Sequence, residues 1–189
     1  MFTLKGILTR CHSLRIRPPS FDLFKHPHRD PGCFRTSHDF LRQFVNRYTY
    51  ALVLFDRERC GQEQKTRDGL EQEVERLLNQ SGWGDRASVI VLDPELEMWV
   101  WSDSPHVATV LGWAGKHPDL MTWLISKGMF DLQRSKPDRP KEAMELVLRE
   151  VRKPRSSAIF LQLAESVSLD RCVDPAFLKL KEKLKLWFS

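Results

Sequence analysis

The sequence YALVLFDRE spans residues 50–58, and a second apolar run, VIVL at residues 89–92, continues into DPELEMW at residues 93–99. Apolar runs of this length, bounded by polar residues, are typical of buried strands in a parallel sheet. Ligands of open α/β sheets bind at the carboxyl ends of such strands. The acidic residues that follow each run are therefore expected to converge. Converging carboxylates need protons or a divalent cation in order to coexist.

The segments around these two strands show helical spacing. A helix is predicted near the amino terminus, a second begins at Ser37 and carries apolar residues to Tyr48, and a third begins at Thr66 and ends at Gly82. Residues 18–37 are rich in proline and are expected to form a loop, with a short strand at residues 21–24. Beyond residue 104 the patterns predict only helices.

The order helix–strand–helix–strand predicts an α/β fold. We expect a small, mostly parallel sheet with flanking helices over residues 1–103, and a helical C-terminal half over residues 104–189 packed on it. A chain of 189 residues is a natural size for one domain, so residues 1–189 are expected to form a single one.

Composition excludes several classes of protein. No apolar run approaches the roughly 20 residues that span a bilayer, and the first residues lack the pattern of a signal peptide. The four cysteines are widely spaced, which argues against a zinc site or a disulfide framework. The chain has neither a GxxxxGK[ST] loop nor a GxGxxG fingerprint. We therefore expect a cytoplasmic protein with no membrane partner.

Charge is distributed unevenly along the chain. Residues 56–103 contain twelve acidic and six basic residues, whereas the segments on both sides are net positive. Such a distribution suits a metal held by acids, with phosphates approaching from basic surroundings. The alternative is ordinary charge scatter on a solvated surface.

The acidic residues after the two strands form the candidate metal site. Asp56 and Glu58 are one residue apart, Glu95 and Glu97 repeat that spacing, and Asp103 follows shortly after. In extended backbone, residues two apart point to the same side. Carboxylates are preferred ligands of Mg²⁺, which polarises phosphoryl oxygens and activates water. The predicted metal ligands are therefore these five residues, and the predicted cofactor is Mg²⁺ or Mn²⁺.

Within this set, Glu95 and Glu97 are the predicted catalytic residues, which complete the site or activate water. The alternative is that the acids cap helices or pair with neighbouring arginines, for which Arg57 and Arg59 are the immediate candidates.

A basic loop precedes the first strand. His28, Arg29 and Arg35 are predicted to contact the phosphates of a nucleic acid. The alternative is a loop held by its prolines, with half-exposed histidines. Trp99 and Trp101 alternate beside the acids, where they either stack on nucleobases or pack in the core.

The pattern of a strand ending in Asp56-Arg57-Glu58, a helix, a second strand and PELEMW at residues 94–99, with Asp103 beyond, resembles the TOPRIM-like (topoisomerase–primase) proteins. These occur among uncharacterised prokaryotic genes and phage-defence operons. In that family a first strand ends in glutamate, a later one ends in Asp-x-Asp, and a divalent metal bridges them. A subgroup carries Pro-Glu-Leu-Glu-x-Trp followed by aspartate. The resemblance covers residues 50–103, and residues 170–177 also look like that subgroup.

Two departures from the family pattern bear on activity. The usual Asp-x-Asp is Asp-x-Glu here, because Glu58 takes the second position. The opening strand and its glutamate have no counterpart in residues 1–14, which look like the helix that would follow that strand. Either the true start lies upstream of Met1, or this version has lost that strand and its carboxylate.

The resemblance implies two functions. One is a divalent-metal-dependent nuclease or phosphoryl-transfer protein that acts in phage defence. The other is a non-catalytic subunit that binds other proteins of a defence operon and has lost part of its metal site. A third, drawn from the charge, is a non-specific nucleic-acid-binding module.

Overall fold

The computed structural model describes residues 1–101, 104–130, 136–170 and 172–189. Among these residues are nine α-helices and two strands. The helices are α1 (Phe2–Leu8), α2 (Cys11–Leu14), α3 (Arg29–Arg42), α4 (Arg67–Leu78), α5 (Pro105–Leu111), α6 (Leu120–Ser126), α7 (Pro140–Glu150), α8 (Ser157–Ser166) and α9 (Pro175–Phe188). Across the same ranges no helix combines the length and apolar character needed to cross a membrane.

The sheet consists of two parallel strands, β1 (Ala51–Asp56) and β2 (Ala87–Leu92), connected through α4. The register pairs the last residue of β1, Asp56, with the last residue of β2, Leu92. The predicted α/β class, with a small parallel sheet, flanking helices and a helical C-terminal half, is confirmed. Because the strands are in register at their ends, the acidic segments that follow them begin at the same edge of the sheet.

The chain forms two compact units, and each is built from two separate stretches of sequence. One comprises Met1–Pro18 and Glu97–Val173, and the other comprises Pro19–Leu96 and Asp174–Ser189. The first contains α1, α2 and α5 to α8, whereas the second contains the sheet, α3, α4 and α9. The expected division of the chain at residue 103 stays a prediction. The expectation of a single domain stays a prediction.

The core of the sheet-containing unit lies on one face of β1. Residues 51, 53 and 55 are buried and the residues between them are half-buried, as expected for a strand with one face in the core. Phe55 is 1 % exposed and packs edge-on against Phe34 of α3. Of the predicted apolar stripe of α4, Leu70, Val74 and Leu78 belong to the same cluster, whereas Leu77 is only half-buried. β1 is therefore fixed from one side by two helices.

The start of α4 is also confirmed, because Thr66 Oγ1 accepts a hydrogen bond from Gly69 N at 3.1 Å. The expected helix start at Ser37 is wrong. α3 begins eight residues earlier, at Arg29, so Ser37 lies inside the helix and is 3 % exposed. Residues 29–37 are therefore helix rather than loop. The short strand expected at residues 21–24 is likewise wrong, because that segment has no regular structure.

The outer edge of β2 is covered by side chains instead of another strand. Glu75 Oε1 accepts from Val89 N at 3.0 Å, and Glu71 Oε1 accepts from Val91 N at 2.9 Å. Lys179 of α9 donates to both carboxylates, at 3.0 Å and 2.8 Å. Unpaired backbone groups at a strand edge invite pairing with another chain. Glu71 and Glu75 of α4 accept hydrogen bonds from these backbone N–H groups, and Lys179 of α9 forms an ion pair with each glutamate.

In the helical unit, α1 packs closely on α8 because of Gly6. A methyl group placed on Gly6 would lie 2.9 Å from Cβ of Ala164. Arg10 strengthens this contact, because its Nη1 donates to the carbonyl oxygens of Ala164 and Val167 at 2.9 Å and 2.6 Å. These carbonyls stand at the end of α8, where a helix leaves such groups without intrahelical partners.

Candidate metal centre

The segments that follow β1 and β2 are tied together beyond the sheet. Arg57 N donates to Leu92 O at 2.8 Å, and Glu58 N donates to Pro94 O at 3.1 Å. After Asp93 the chain turns through a cis peptide bond to Pro94 and enters a 3-10 turn at residues 96–99. These bonds hold the first residues beyond both strands side by side.

Three carboxylates meet at this edge. Asp56, Glu95 and Glu97 each offer one carboxylate oxygen, and these oxygens all lie within 4.8 Å of one another. Asp56 is the last residue of β1, and its Oδ1 accepts from Leu96 N at 2.9 Å. Glu95 and Glu97 flank Leu96, so the turn that orients Asp56 also carries the other two acids. Glu95 is 5 % exposed and Glu97 is 9 % exposed.

The cluster could hold a metal ion. Its donors are carboxylate oxygens, which suit hard cations such as Mg²⁺ rather than the softer metals that favour thiolate or imidazole. Carboxylates this close together are also unfavourable without a compensating positive charge. The structure therefore brings three of the five predicted ligands together in a cluster that could hold a metal ion.

Glu58, another predicted ligand, is not among the three clustered carboxylates. β1 ends at Asp56, and the chain turns through Arg59, whose φ is +68°. Glu58 lies in the turn that follows β1, outside the extended strand that would align it with Asp56. Its side chain is about half exposed, with Oε1 3.9 Å from Arg59 Nε. Its role as a ligand stays a prediction. Asp103 lies outside the described residues.

Arg57, a candidate partner for the acids of the cluster, pairs instead with Asp93, which is outside the cluster. Its Nη1 lies 3.0 Å from Asp93 Oδ2, and its Nη2 donates to Glu63 O at 2.8 Å. Arg57 thus fastens the loop after β1 to the loop after β2. An ion pair with the cluster comes from farther along the chain, since Arg155 Nη2 lies 3.3 Å from Glu97 Oε1. Nothing in the sequence patterns indicated Arg155.

Asp30 is a second residue that the sequence patterns did not reveal. Its Oδ1 accepts from the backbone N–H of Asp56 at 3.2 Å, which brings the start of α3 to the end of β1. The signal was an acidic residue followed by proline, a common beginning for a helix. Asp30 and Asp56 also influence Cys33. Burial raises the pKa of the Cys33 thiol to about 12, with smaller contributions from these two carboxylates. That thiol stays protonated and is a poor nucleophile.

The three predicted nucleic-acid contacts lie at this same end of α3. His28 immediately precedes the helix, Arg29 begins it, and Arg35 lies two turns into it. All three are exposed. Arg35 reaches the loop after β1, because a methyl group placed on Gly61 would lie 3.2 Å from Arg35 Nη2. Basic side chains therefore border the end of β1 that carries Asp56, and their contact with nucleic acid stays a prediction.

The start of α3 is held by His26, which is 8 % exposed. Its Nδ1 accepts from His28 N at 3.1 Å, and its Nε2 lies 3.2 Å from Thr36 Oγ1. Since the Thr36 hydroxyl donates to Gly32 O, Nε2 of His26 is the donor in their contact. Only the neutral ring accepts at Nδ1 and donates at Nε2. Burial, followed by the nearby His28, lowers the pKa of His26.

We expect this arrangement to make folding sensitive to acid. Because the folded pKa of His26 is below its ordinary value of 6.5, the stabilisation from the neutral ring is complete above that value. It is lost as the pH falls from 6.5 through the folded pKa. Urea unfolding at several pH values should show a weaker acid dependence for His26→Gln than for the wild type. The exposed His12, replaced by Gln, is the matched control and should keep the wild-type dependence. Equal dependence in both variants would contradict the assignment.

The six tryptophans are all buried, between 1 % and 8 % exposed. Trp101, which alternates with Trp99 beside the acids, donates from Nε1 to Pro140 O at 2.8 Å. Core packing is therefore the role of this pair in the structure, rather than an exposed surface for stacking nucleobases.

Comparisons with protein-family models, with curated proteins and with solved structures found no match to this chain.

Proposed function

We propose that this protein binds Mg²⁺ or Mn²⁺ at Asp56, Glu95 and Glu97 and catalyses phosphoryl transfer or cleavage on a nucleic acid. The observation that carries the proposal is the convergence of three carboxylates where two parallel strands end. This is the edge at which α/β sheets bind their ligands. The resemblance to TOPRIM-like proteins agrees with this site and extends the proposal to a role in phage defence.

The chain's own residues have separate tasks in this proposal. Asp56 is oriented by the N–H of Leu96, so the turn presents its carboxylate together with those of Glu95 and Glu97. The two glutamates complete the ligand set, and one of them accepts a proton from the attacking water. A bound divalent ion supplies polarisation of the phosphoryl oxygen and lowers the pKa of water. His28, Arg29 and Arg35 at the start of α3 contact the phosphates.

A second function is favoured by Arg155. Its ion pair with Glu97 already supplies a positive charge to the cluster, as expected if the acids serve structure. In this alternative the protein is a non-catalytic subunit that binds another protein of the same operon.

Metal affinity tests the proposal directly. We expect Mn²⁺, followed by calorimetry and by its electron paramagnetic resonance signal, to bind the wild type at one site. Asp56→Asn and Glu97→Gln should each weaken binding by at least about tenfold, because each removes one anionic ligand from a small set. Asp85→Asn and Glu150→Gln are the matched controls, since both residues are exposed acids outside the cluster. They should bind Mn²⁺ like the wild type. Equal affinity in all five proteins would reject the site.

Cleavage assays separate the two functions. With Mg²⁺ or Mn²⁺ present, labelled single-stranded and double-stranded DNA and RNA should be cut by the wild type and not by Asp56→Asn. A wild type that binds Mn²⁺ but cuts none of these substrates, and that co-purifies with the product of a neighbouring gene, would establish the non-catalytic alternative.

A further inference from the structure

Arg155 occupies the short segment between α7 and α8 and bridges two carboxylates. Its Nη2 lies 3.3 Å from Glu97 Oε1, and its Nη1 lies 2.5 Å from Glu145 Oε1. The guanidinium carbon stands 5.1 Å from the centre of the Phe160 ring. The side chain is 43 % exposed, so it is not locked in the core. One arginine thus joins a member of the acidic cluster to a glutamate outside it.

The two glutamates differ in their need for this cation. The side chain of Glu97 is 11 % exposed and that of Glu145 is 41 % exposed. A largely buried carboxylate depends on a nearby positive charge, whereas an exposed one is solvated by water. Glu97 therefore depends on Arg155 more than Glu145 does. Glu145 and the Phe160 ring offer the guanidinium a second set of contacts, an ion pair and a cation–π interaction.

Arg155 and a metal ion would use the same carboxylate. Oε1 of Glu97 accepts from Arg155, and one oxygen of Glu97 lies within 4.8 Å of those of Asp56 and Glu95. Two cations cannot both approach one carboxylate closely without repelling each other. A metal ion that binds the cluster therefore either shares Glu97 with Arg155, and is repelled by the guanidinium, or displaces the guanidinium from Glu97.

We propose that Arg155 regulates the acidic site by competing with the divalent cation for Glu97, and that Glu145 holds the guanidinium once the cation has displaced it. This inference rests on the proposed function. In the metal-free protein the arginine neutralises Glu97 and keeps the cluster intact. In the metal-bound protein it pairs with Glu145 alone, close to the cluster, where its exposed donors are available to a phosphate.

Mn²⁺ affinity of the full-length chain, measured by calorimetry, tests the competition. We expect Arg155→Ala to bind Mn²⁺ about fivefold more tightly than the wild type, in keeping with the modest strength of a partly exposed ion pair. Arg149→Ala is the matched control, because it removes the same charge from an exposed position on α7. It should change the affinity by less than about twofold. Arg155→Lys, which keeps the charge but loses the two-pronged geometry, should fall between the wild type and Arg155→Ala.

A double-mutant cycle tests the role of Glu145. If Glu145 acts through Arg155, Glu145→Gln should weaken Mn²⁺ binding in the wild-type background. The guanidinium then forms an ion pair with Glu97 alone and competes more strongly with the metal. The same change should have no effect in the Arg155→Ala background. A purely structural ion pair would alter unfolding but not this coupling. Arg155→Gln provides a second neutral variant if Arg155→Ala does not fold.

The outcomes distinguish the inference from the proposed function. If the wild type binds Mn²⁺ and Arg155→Ala and Arg149→Ala shift its affinity equally, the competition is rejected and the metal site stands. The competition is also rejected if Glu145→Gln has the same effect in both backgrounds. If no variant binds Mn²⁺, the proposed function fails and the competition fails with it.

Discussion

Replacing Glu71 with alanine is expected to lower the free energy of unfolding by about 3 kcal/mol. The side chain is 4 % exposed and accepts from Val91 N on the outer edge of β2 while pairing with Lys179 of α9. Its removal leaves a backbone N–H of β2 without an acceptor and removes one anion from Lys179. The expected loss lies at the lower end of the range for buried ion pairs, because Glu75 still contacts that lysine.

Glu73→Ala on the same helix provides the control. Glu73 pairs with Lys65, but its side chain is 37 % exposed, and such pairs contribute about 1 kcal/mol or less. Urea unfolding followed by circular dichroism gives both values. Glu71→Gln keeps an acceptor for Val91 N and should lie between Glu71→Ala and the wild type. Equal losses in Glu71→Ala and Glu73→Ala would show that the edge of β2 does not depend on Glu71.

Replacing Phe55 with alanine is expected to lower the free energy of unfolding by about 3–5 kcal/mol. Phe55 is 1 % exposed, packs on Phe34, and fills the space between β1 and its two helices. Alanine leaves a cavity there, because the surrounding backbone relaxes only in part. Asp56 is the next residue, so the loosened strand end should also weaken Mn²⁺ binding at the cluster.

Leu54→Ala is the comparison for Phe55→Ala. Leu54 points to the opposite face of β1 and is half-buried, so its replacement should cost less than half as much. Thermal unfolding and Mn²⁺ titration of both variants separate the two effects. A loss of Mn²⁺ binding in Leu54→Ala as large as in Phe55→Ala would mean that the cluster does not depend on the core side of β1.

The sequence was sufficient to predict the two strands and the helix between them because each of these elements follows local rules. The runs at residues 50–55 and 89–92 are apolar over a strand's length, and α4 has both its cap, Thr66, and an apolar stripe. Acidic residues directly after two paired parallel strands begin at the same edge of the sheet. Three of the predicted ligands, Asp56, Glu95 and Glu97, meet for that reason.

The start of α3 was not predicted because its local signals conflict: Asp30 followed by proline is typical of a helix start, whereas proline followed by glycine is typical of a loop. Pro31 and Gly32 indicate a loop, yet Pro31 is the third residue of the helix, where the missing N–H costs no hydrogen bond. Gly32 is required by packing, since a methyl group there would lie 2.1 Å from His26 Nδ1. The same contact lets His26 hold the segment that carries Asp30 to the end of β1.

The sequence by itself determined that acidic residues would collect at the carboxyl end of a small parallel sheet, because the period of each strand and the order of the elements are local properties. Only the tertiary structure decided what surrounds them. Glu58 falls in the turn after Asp56 and is not one of the three clustered carboxylates, and Arg155 reaches Glu97 from 58 positions farther along the chain. The sequence of a strand does not indicate which distant basic side chain will pair with the acidic residues beside it, because that pairing depends on how the helices pack.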